Sequence, residues 1–458
     1  MKRRGFSPST RTFQTMFAGL SRIEHWYNHS KQLVNAHAVF DYFQRHLEAV
    51  KKHDPHSPEL TITPIASYIK ILGDAGEYQR IFDVYYAMDQ QGSLAPNQFI
   101  FAAIFRCLSE RRAPSGGDGR TNIHAQNASD AKLLWRQMLK TSERSPGFPI
   151  DSHIIAAAIV ALSRGHAADQ NFALEIVHDY LGLTKPKEAT FSGKIPLTVH
   201  TLSAALSLCN EMREHRLCIH FLNLVRNRPG MFGGIAVIDR GNVEEVLKAY
   251  AAVATPGSQE EPYQALRTLE WMLKQEITGP NGPQIRPAAT TYNLVLAACW
   301  RGVDWTSATR TFELMTGYTT GHFEDGQDNL GNPVLRKRAK KRNLVPDAET
   351  MSYMVRIALA SRNPAYMRQS LRMVNYLSDH LFGLASGSDL RKKESKKTAK
   401  HATFYHVKLA AAVSEAIDCV LPRDRAGEGG ESASWIKLKG LAGEILRRAS
   451  PTRETGMA

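Results

Sequence analysis

Two basic clusters are the parts of the sequence whose side chains could bind phosphate. The first places six cations in seven residues, as Arg336-Lys337-Arg338 and Lys340-Lys341-Arg342, and the second is Arg391-Lys392-Lys393 with Lys396, Lys397 and Lys400 close behind. Each cation that neutralises a phosphate releases counterions, so binding through such clusters weakens steeply as salt rises. A polyanionic ligand is the first interpretation. A solvated loop that keeps the protein soluble and a nuclear localisation signal are the alternatives.

The overall charge agrees with a polyanionic partner. Lys and Arg exceed Asp and Glu by 58 to 44, which gives a net charge of +14. Such an excess is typical of proteins that bind nucleic acid or an anionic membrane surface. The longest apolar run, residues 154–162, is about half of what a membrane-spanning helix needs, so no span is predicted. Hydrophobic residues make up 43% of the chain, which excludes wholesale disorder.

The sequence contains none of the catalytic signatures that we considered. The patterns H-E-x-x-H, G-x-x-x-x-G-K-[ST] and G-x-S-x-G are absent, as is the deaminase combination of H-x-E with P-C-x-x-C. We therefore expect no enzymatic activity, no cofactor and no metal. The five cysteines form no C-x-x-C pair, so neither a disulfide framework nor a cysteine zinc site is expected. Four of them are predicted to lie in the core, namely Cys107, Cys209, Cys218 and Cys299.

A pair of amphipathic helices recurs along the chain. In its clearest copy, the quartet Ile65, Tyr68, Ile69 and Leu72 falls at offsets 0, 3, 4 and 7, the spacing of one helix face. A second quartet starts sixteen residues later at Ile81, and Gly73-Asp74-Ala75-Gly76 separates the two as a helix stop. The quartets that mark a first helix start at Phe13, Ile65, Phe101, Ile155, Leu202, Val243, Tyr292 and Met351.

A helical hairpin with one apolar face can bury it only against a neighbouring hairpin. The sequence therefore predicts an all-α fold, an α-solenoid of stacked helix-turn-helix repeats with long loop insertions and almost no sheet. We expect about eight helix pairs in residues 1–385, a basic linker at 386–402 and a C-terminal capping helix pair within 403–450. The insertions are expected to be surface loops at 111–130, 181–197, 254–262, 316–345 and 383–402.

Several segments resemble the pentatricopeptide repeat. Residues 290–296 (TTYNLVL) and 12–16 (TFQTM) are similar to its first helix, and residues 131–138 and 308–315, each running from Ala to Met, are similar to its second. Unit ends of the expected form appear as Pro96-Asn97 and Pro346-Asp347, and they favour this family over tetratricopeptide repeats. The resemblance covers roughly residues 5 to 385. The long insertions resemble fungal mitochondrial members, a group that includes factors for processing small-subunit ribosomal RNA.

The resemblance implies that first helices line a groove for single-stranded RNA, with about one base per repeat. It assigns base reading to the fifth and last residues of each unit. The fifth residues are Gln14, Ala66, Ala102, Ala156, Ser203, Asn293 and Ser352, and the last residues are Asn97, Asp151 and Asp347. Only the pair Asn293 and Asp347 matches the family's rule, for uracil. Because alanine side chains form no hydrogen bonds, we expect sparse sequence reading and more affinity from phosphate contacts and stacking.

Two further expectations concern the groove. Its wall is expected to be electropositive, with the basic loops supplying the positive charge. Phe99 follows a unit boundary, where its ring would either stack on a base or pack in the core.

We therefore expect a non-enzymatic protein of the mitochondrial matrix that binds single-stranded ribosomal or messenger RNA for maturation, stability or translation. Processing of the small-subunit ribosomal RNA precursor is the most specific form of this expectation. The alternative is a protein-binding scaffold, for instance one associated with the mitochondrial small ribosomal subunit. The acid-free segment from Met1 to Ile23 carries five cations and fits either a transit peptide or the start of the first repeat. In the second case a presequence would lie upstream.

Overall fold

The computed structural model describes residues 8–111, 120–144, 148–230, 234–326, 333–336, 342–382, 396–421 and 430–449. In these ranges the regular secondary structure is helical, apart from one isolated antiparallel bridge between Tyr318 and Leu335. None of the described helices combines the length and the hydropathy that crossing a membrane requires. The chain divides into two compact units, Met1–Val237 and Ile238–Ala458, which we call unit 1 and unit 2.

The described α-helices of unit 1 form five helical hairpins. Its helices are α1 (Thr10–Leu20), α2 (Ser30–His53), α3 (Thr63–Ala75), α4 (Tyr78–Tyr86), α5 (Gln98–Glu110), α6 (Arg120–Arg144), α7 (Ser152–Leu162), α8 (Ala167–Leu181), α9 (Val199–Glu211) and α10 (His215–Arg226). The odd-numbered helix of each pair is its first helix, and the even-numbered one is its second.

Unit 2 contains four hairpins and one additional short helix. Its helices are α11 (Arg240–Val253), α12 (Glu260–Thr278), α13 (Ala289–Gly302), α14 (Trp305–Thr316), α15 (Ala348–Ser361), α16 (Pro364–Tyr376), α17 (Ser378–Leu381), α18 (Lys396–Val420) and α19 (Gly430–Ala449). The first helices here are α11, α13, α15 and α18. Residues 396–402 of the predicted basic linker thus belong to α18, and residues 383–395 lie outside the described part of the chain.

The turn between α3 and α4 shows how the sequence ends a first helix. Gly76 takes a left-handed conformation with φ of 84°, and the Glu77 N–H donates to the Leu72 carbonyl oxygen at 2.9 Å. Glycine adopts this conformation without the steric penalty that a Cβ atom brings. Gly73 serves a different purpose, because a Cβ atom there would lie 2.3 Å from Cys107 Sγ of α5. The two glycines of the predicted helix stop therefore allow one sharp turn and one close contact between hairpins.

The predicted apolar quartets form the core of both units. Tyr68 and Ile69 of α3 are fully buried, as are Phe101 and Phe105 of α5. The four cysteines that were predicted to lie in the core are buried, whereas Cys419 is exposed. Burial in apolar surroundings raises the pKa of Cys107 to about 12, so this thiol stays protonated and packs as a small apolar group.

The prediction of an all-α, α-solenoid stack of helical hairpins is confirmed within each unit. The described residues include a C-terminal helix pair, α18 and α19, and its role as a cap stays a prediction. The prediction of a loop over residues 111–130 is wrong for its second half, because α6 already begins at Arg120.

Candidate nucleic-acid interface

The first helices of each unit form a continuous wall. In unit 1, α1 packs on α3, α3 on α5, α5 on α7 and α7 on α9. In unit 2, α11 packs on α13, α13 on α15 and α15 on α18. Contacts between successive second helices are much sparser, so within each unit the first helices lie closest together. We call the solvent-accessible side of these helices the first-helix wall.

The predicted last residues of the units cap the first helices. Asn97 Oδ1 accepts hydrogen bonds from the backbone N–H groups of Phe99 at 3.0 Å and Ile100 at 3.3 Å. Asp151 Oδ1 does the same for His153 and Ile154, at 3.0 and 2.9 Å. Such caps satisfy backbone donors that have no partner within the helix. The Asn or Asp at a unit end therefore has a structural use, and base reading by these residues stays a prediction.

The predicted fifth residues of unit 1 are accessible. Gln14 on α1 is exposed, and the others are partly exposed, namely Ala66, Ala102, Ala156 and Ser203. Four of the five have small side chains, so the wall of unit 1 offers little steric hindrance to a flat ligand. Their role in RNA binding stays a prediction.

The predicted fifth residues of unit 2 are buried instead. Asn293 is 4% exposed, and its Oδ1 lies 2.8 Å from the hydroxyl of Thr350 on the next first helix. The same hydroxyl lies 2.9 Å from Asp347 Oδ1. A threonine hydroxyl has one proton and so donates to one of these oxygens at a time. The two members of the predicted uracil pair are thus joined by a buried side chain, while their role as readers stays a prediction.

The same arrangement recurs one hairpin earlier. Glu244 of α11 occupies the fifth position of a unit that sequence reasoning left without a reader. Its Oε1 accepts hydrogen bonds from the hydroxyls of Thr290 at 2.9 Å and Thr291 at 2.6 Å. Ser352 is also buried, and its hydroxyl has no hydrogen-bond partner among the described residues. In unit 2 the two larger polar side chains, Asn293 and Glu244, therefore tie consecutive hairpins together.

Exposed rings mark the N-terminal ends of three first helices in unit 1. Phe99 is 62% exposed, so of the two alternatives for this ring, packing in the core is wrong. His153 and His200 are exposed on the next two first helices, and their ring centroids lie 5.9 Å apart. Sequence reasoning missed both histidines. Their shared position, two residues after the cap, is the signal that would have found them.

The first helices of unit 1 carry no net charge themselves, so an electropositive wall would need the basic loops, and it stays a prediction. These five helices carry equal numbers of cations and acids, namely Arg11, Lys70 and Arg106 against Asp74, Glu110 and Glu211. Arg106 Nε also lies 2.9 Å from Glu110 Oε1, so part of this charge is paired. A net charge is a sum over the chain and does not reveal which helix carries it. The first helices of unit 1 therefore give the wall no excess of positive charge.

The predicted basic clusters lie mainly outside the described residues. This applies to Lys337, Arg338, Lys340, Lys341, Arg391, Lys392 and Lys393. Two members of the first cluster are described. Arg342 Nε lies 3.2 Å from Glu276 Oε1, a carboxylate that also binds Arg286 Nε at 2.8 Å. Arg336 donates its backbone N–H to the Gly317 carbonyl oxygen at 2.9 Å. Binding of phosphate by these arginines stays a prediction.

The described residues contain no group of three His, Cys, Asp or Glu side chains that could hold a metal ion. The expectation that the protein has no enzymatic activity stays a prediction.

Comparison with known proteins finds similarity to a solved structure. No family model matches the sequence, and no curated protein matches it. The fold is similar to that of the pentatricopeptide repeat protein PPR10 from maize, known from its crystal structure, with a TM-score of 0.37 and 14% identity. The match covers 100% of this chain and 60% of the maize chain.

Proposed function

We propose that this protein binds single-stranded RNA along the first-helix walls. The observation that carries the proposal is the order of side chains in unit 1. Each successive first helix adds one accessible fifth residue to the same wall, and three of them add an exposed ring near the helix start. A single strand can lie along such a wall because unpaired bases stack on aromatic side chains and expose their edges.

The side chains that line the wall determine how much each contributes to base discrimination, stacking and phosphate binding. Ala66, Ala102 and Ala156 offer no hydrogen bonds through their side chains, so they give little discrimination between bases. Phe99, His153 and His200 present flat rings, and every base has a π-face on which such a ring can stack. The basic clusters at 336–342 and 391–400 supply the cations for phosphates. Binding is therefore expected to be weakly sequence-selective and strongly salt-dependent.

We propose further that the bound RNA is mitochondrial. The most specific candidate is the precursor of the small-subunit ribosomal RNA. What supports it is the resemblance of the long insertions to those of fungal mitochondrial repeat proteins. Crosslinking the protein to RNA in isolated mitochondria and sequencing the bound fragments tests this directly. Enrichment of ribosomal fragments supports the ribosomal candidate, whereas enrichment of mitochondrial messenger fragments alone supports a mitochondrial target and contradicts the ribosomal candidate.

Fluorescence anisotropy with the purified full chain tests RNA binding itself. A labelled single-stranded RNA is compared with the same RNA as a duplex, from about 50 to 200 mM salt. We expect tighter binding of the single strand and an affinity that falls with a logarithmic slope of about −0.7 for each phosphate neutralised. Replacing Lys337, Arg338, Lys340 and Lys341 with glutamine should make that slope shallower. Equal affinity for both RNAs, or no affinity for either, contradicts the proposal.

A protein-binding scaffold remains the second candidate. The absence of net charge on the first helices of unit 1 and their alanine fifth residues favour it, because neither feature attracts a polyanion. A scaffold would bind RNA weakly, without preference for the single strand, and the anisotropy experiment separates the two candidates on that point.

A further inference from the structure

Three successive first helices of unit 2 bring aromatic rings and cations together on one surface. None of these residues occupies a position that the family resemblance assigns to base reading. The set, which we call the ladder, comprises Trp300 of α13, Tyr353 and Arg356 of α15, and Phe404, Tyr405 and Lys408 of α18.

The first half of the ladder joins α13 to α15. The Arg356 guanidinium carbon lies 3.9 Å from the centroid of the Trp300 ring and 6.0 Å from that of Tyr353. The Trp300 and Tyr353 centroids are 6.4 Å apart. At these distances a cation is attracted by the electrons of the ring face, and the contact holds the guanidinium plane in place.

The second half joins α15 to α18. The Tyr353 and Tyr405 ring centroids lie 6.4 Å apart. The centroid of the Phe404 ring lies 5.2 Å from that of the Tyr405 ring, and the Lys408 ammonium nitrogen lies 4.3 Å from the Phe404 centroid. The Glu349 carboxylate lies near Tyr405, so one acid adjoins the ladder. These contacts fix the ring orientations in advance of any ligand.

The ladder remains open to solvent, unlike the core aromatics. Phe404 is 52% exposed, and the rings of Trp300, Tyr353 and Tyr405 are partly exposed. The other five tryptophans are all buried, namely Trp26, Trp135, Trp271, Trp305 and Trp435. Large rings that serve packing alone are ordinarily buried, whereas half-exposed rings beside cations suit a ligand that is both flat and anionic.

We propose that the ladder is a stacking site for two or more unpaired nucleobases of single-stranded RNA. Bases stack on tryptophan, tyrosine and phenylalanine rings and on guanidinium planes, while lysine and arginine charges neutralise the adjoining phosphates. An apolar peptide would leave the Arg356 and Lys408 charges without partners on the ligand. The inference rests on the proposed function and extends it, because it places the strongest stacking contacts outside the predicted base-reading positions.

Trp300 makes the site directly observable. Because it is the one tryptophan that is not buried, acrylamide quenches its emission preferentially, and a base stacked on it should both quench and shield it. We expect titration with an unstructured single-stranded RNA to lower the emission and to reduce acrylamide quenching. The variant Trp300→Phe keeps a ring but should lose this signal, while retaining most of the affinity.

Matched variants measure the contribution of stacking. We expect Phe404→Ala to weaken RNA binding about tenfold, and Trp300→Leu combined with Phe404→Ala to weaken it by about 100-fold. The control is Tyr263→Ala on the second helix α12, where an equally exposed ring also has an arginine, Arg267, 5.8 Å from its centroid. This control should bind RNA as the wild type does. Circular dichroism and thermal unfolding verify that each variant is folded.

The outcomes separate the two proposals. If the wild-type protein binds no RNA, the proposed function itself is wrong. If it binds RNA but its tryptophan emission and acrylamide quenching do not change, the ladder proposal is overturned while RNA binding stands. The same holds if the folded Phe404→Ala variant and the Tyr263→Ala control bind equally well. Quenching in the wild type together with a selective loss in Phe404→Ala supports the ladder.

Discussion

Unit 1 and unit 2 are built from the same hairpin but present different first-helix walls. In unit 1 the fifth residues are small or exposed, the first helices carry no net charge, and the exposed rings lie at the helix starts. In unit 2, Asn293 and Ser352 are buried at the fifth positions, and the half-exposed rings belong to the ladder. The stacking of hairpins therefore fixes the scaffold, while the side chains decide what each wall can bind.

The difference at the fifth positions has a specific physical origin. In unit 2 the polar side chains of Glu244 and Asn293 reach threonine hydroxyls on the following first helix, at 2.6 Å for Thr291 and 2.8 Å for Thr350. Alanine at the same position in unit 1 cannot form such a bond. A long polar side chain at the fifth position can therefore serve hairpin packing as well as base recognition, and the sequence alone does not distinguish the two uses.

The largest expected effect separates core aromatics from wall aromatics in unit 1. Phe101 is fully buried, and its ring centroid lies 5.8 Å from that of Tyr85, whereas Phe99 on the same helix is mostly exposed. We expect Phe101→Ala to lower the free energy of unfolding by about 3–5 kcal/mol. Phe99→Ala should change it by less than about 0.5 kcal/mol. Urea titrations followed by circular dichroism measure both, and similar losses in the two variants would contradict the division between core and wall.

The next effect tests the burial of Asn293 in unit 2. Replacing it with alanine removes the bond to the Thr350 hydroxyl and leaves a small cavity. We expect a loss of about 1–3 kcal/mol in the free energy of unfolding. The relative affinities for uridine-rich and adenosine-rich single strands should stay unchanged, because the side chain is buried. A variant of unchanged stability that loses a preference for uridine would instead support base reading by Asn293.

The helix caps should behave alike in the two units. Asp151 of unit 1 and Asp347 of unit 2 both accept backbone N–H groups at the start of a first helix, at 2.9 Å and 2.8 Å. Substitution of either by alanine is expected to lower the free energy of unfolding by about 1 kcal/mol. Thermal unfolding of the two variants side by side checks this expectation. A cap whose removal has no effect on stability would have to be retained for another reason, such as ligand binding.

The smallest effect is the pH dependence that Asp325 gives to unit 2. The hydrogen bond from Arg368 lowers the pKa of Asp325, burial opposes this shift, and Arg372 lowers the pKa further. A carboxylate with a lowered pKa stabilises the folded state at neutral pH, and this contribution is lost as pH falls below about 4. Asp325 is partly exposed, so solvent screening keeps the effect small.

Asp325→Asn tests this pH dependence. We expect the variant to be slightly less stable than the wild type at pH 7 and the difference to shrink in acid, as followed by thermal unfolding at each pH. A difference that grows as the pH falls would show that the sign of the shift is wrong.

Local pattern explains why the fold could be predicted and much of the candidate site could not. Quartets such as the one starting at Tyr292 report a helix face directly, because helical periodicity is a property of neighbouring residues. The burial of Asn293 depends on Thr350, which lies on another hairpin, and no local pattern encodes that contact. The ladder likewise joins Trp300 to Tyr353 and Phe404 across three helices without any motif.

The charge of the sequence did not reveal which surface of the protein is basic. The net charge of +14 indicated a polyanionic partner, yet the first helices of unit 1 carry no net charge. The predicted clusters at 336–342 and 391–400 could be placed on the chain but not on a surface, because their position depends on loop conformation.

Ultraviolet crosslinking of a bound single-stranded RNA, followed by mass spectrometry of the attached peptides, tests the central claim most directly. If RNA lies along the first-helix walls, crosslinks should fall on peptides from α5, α7 and α9 and on those from α13, α15 and α18. Crosslinks restricted to second helices, such as α2, α6 and α12, would contradict the account.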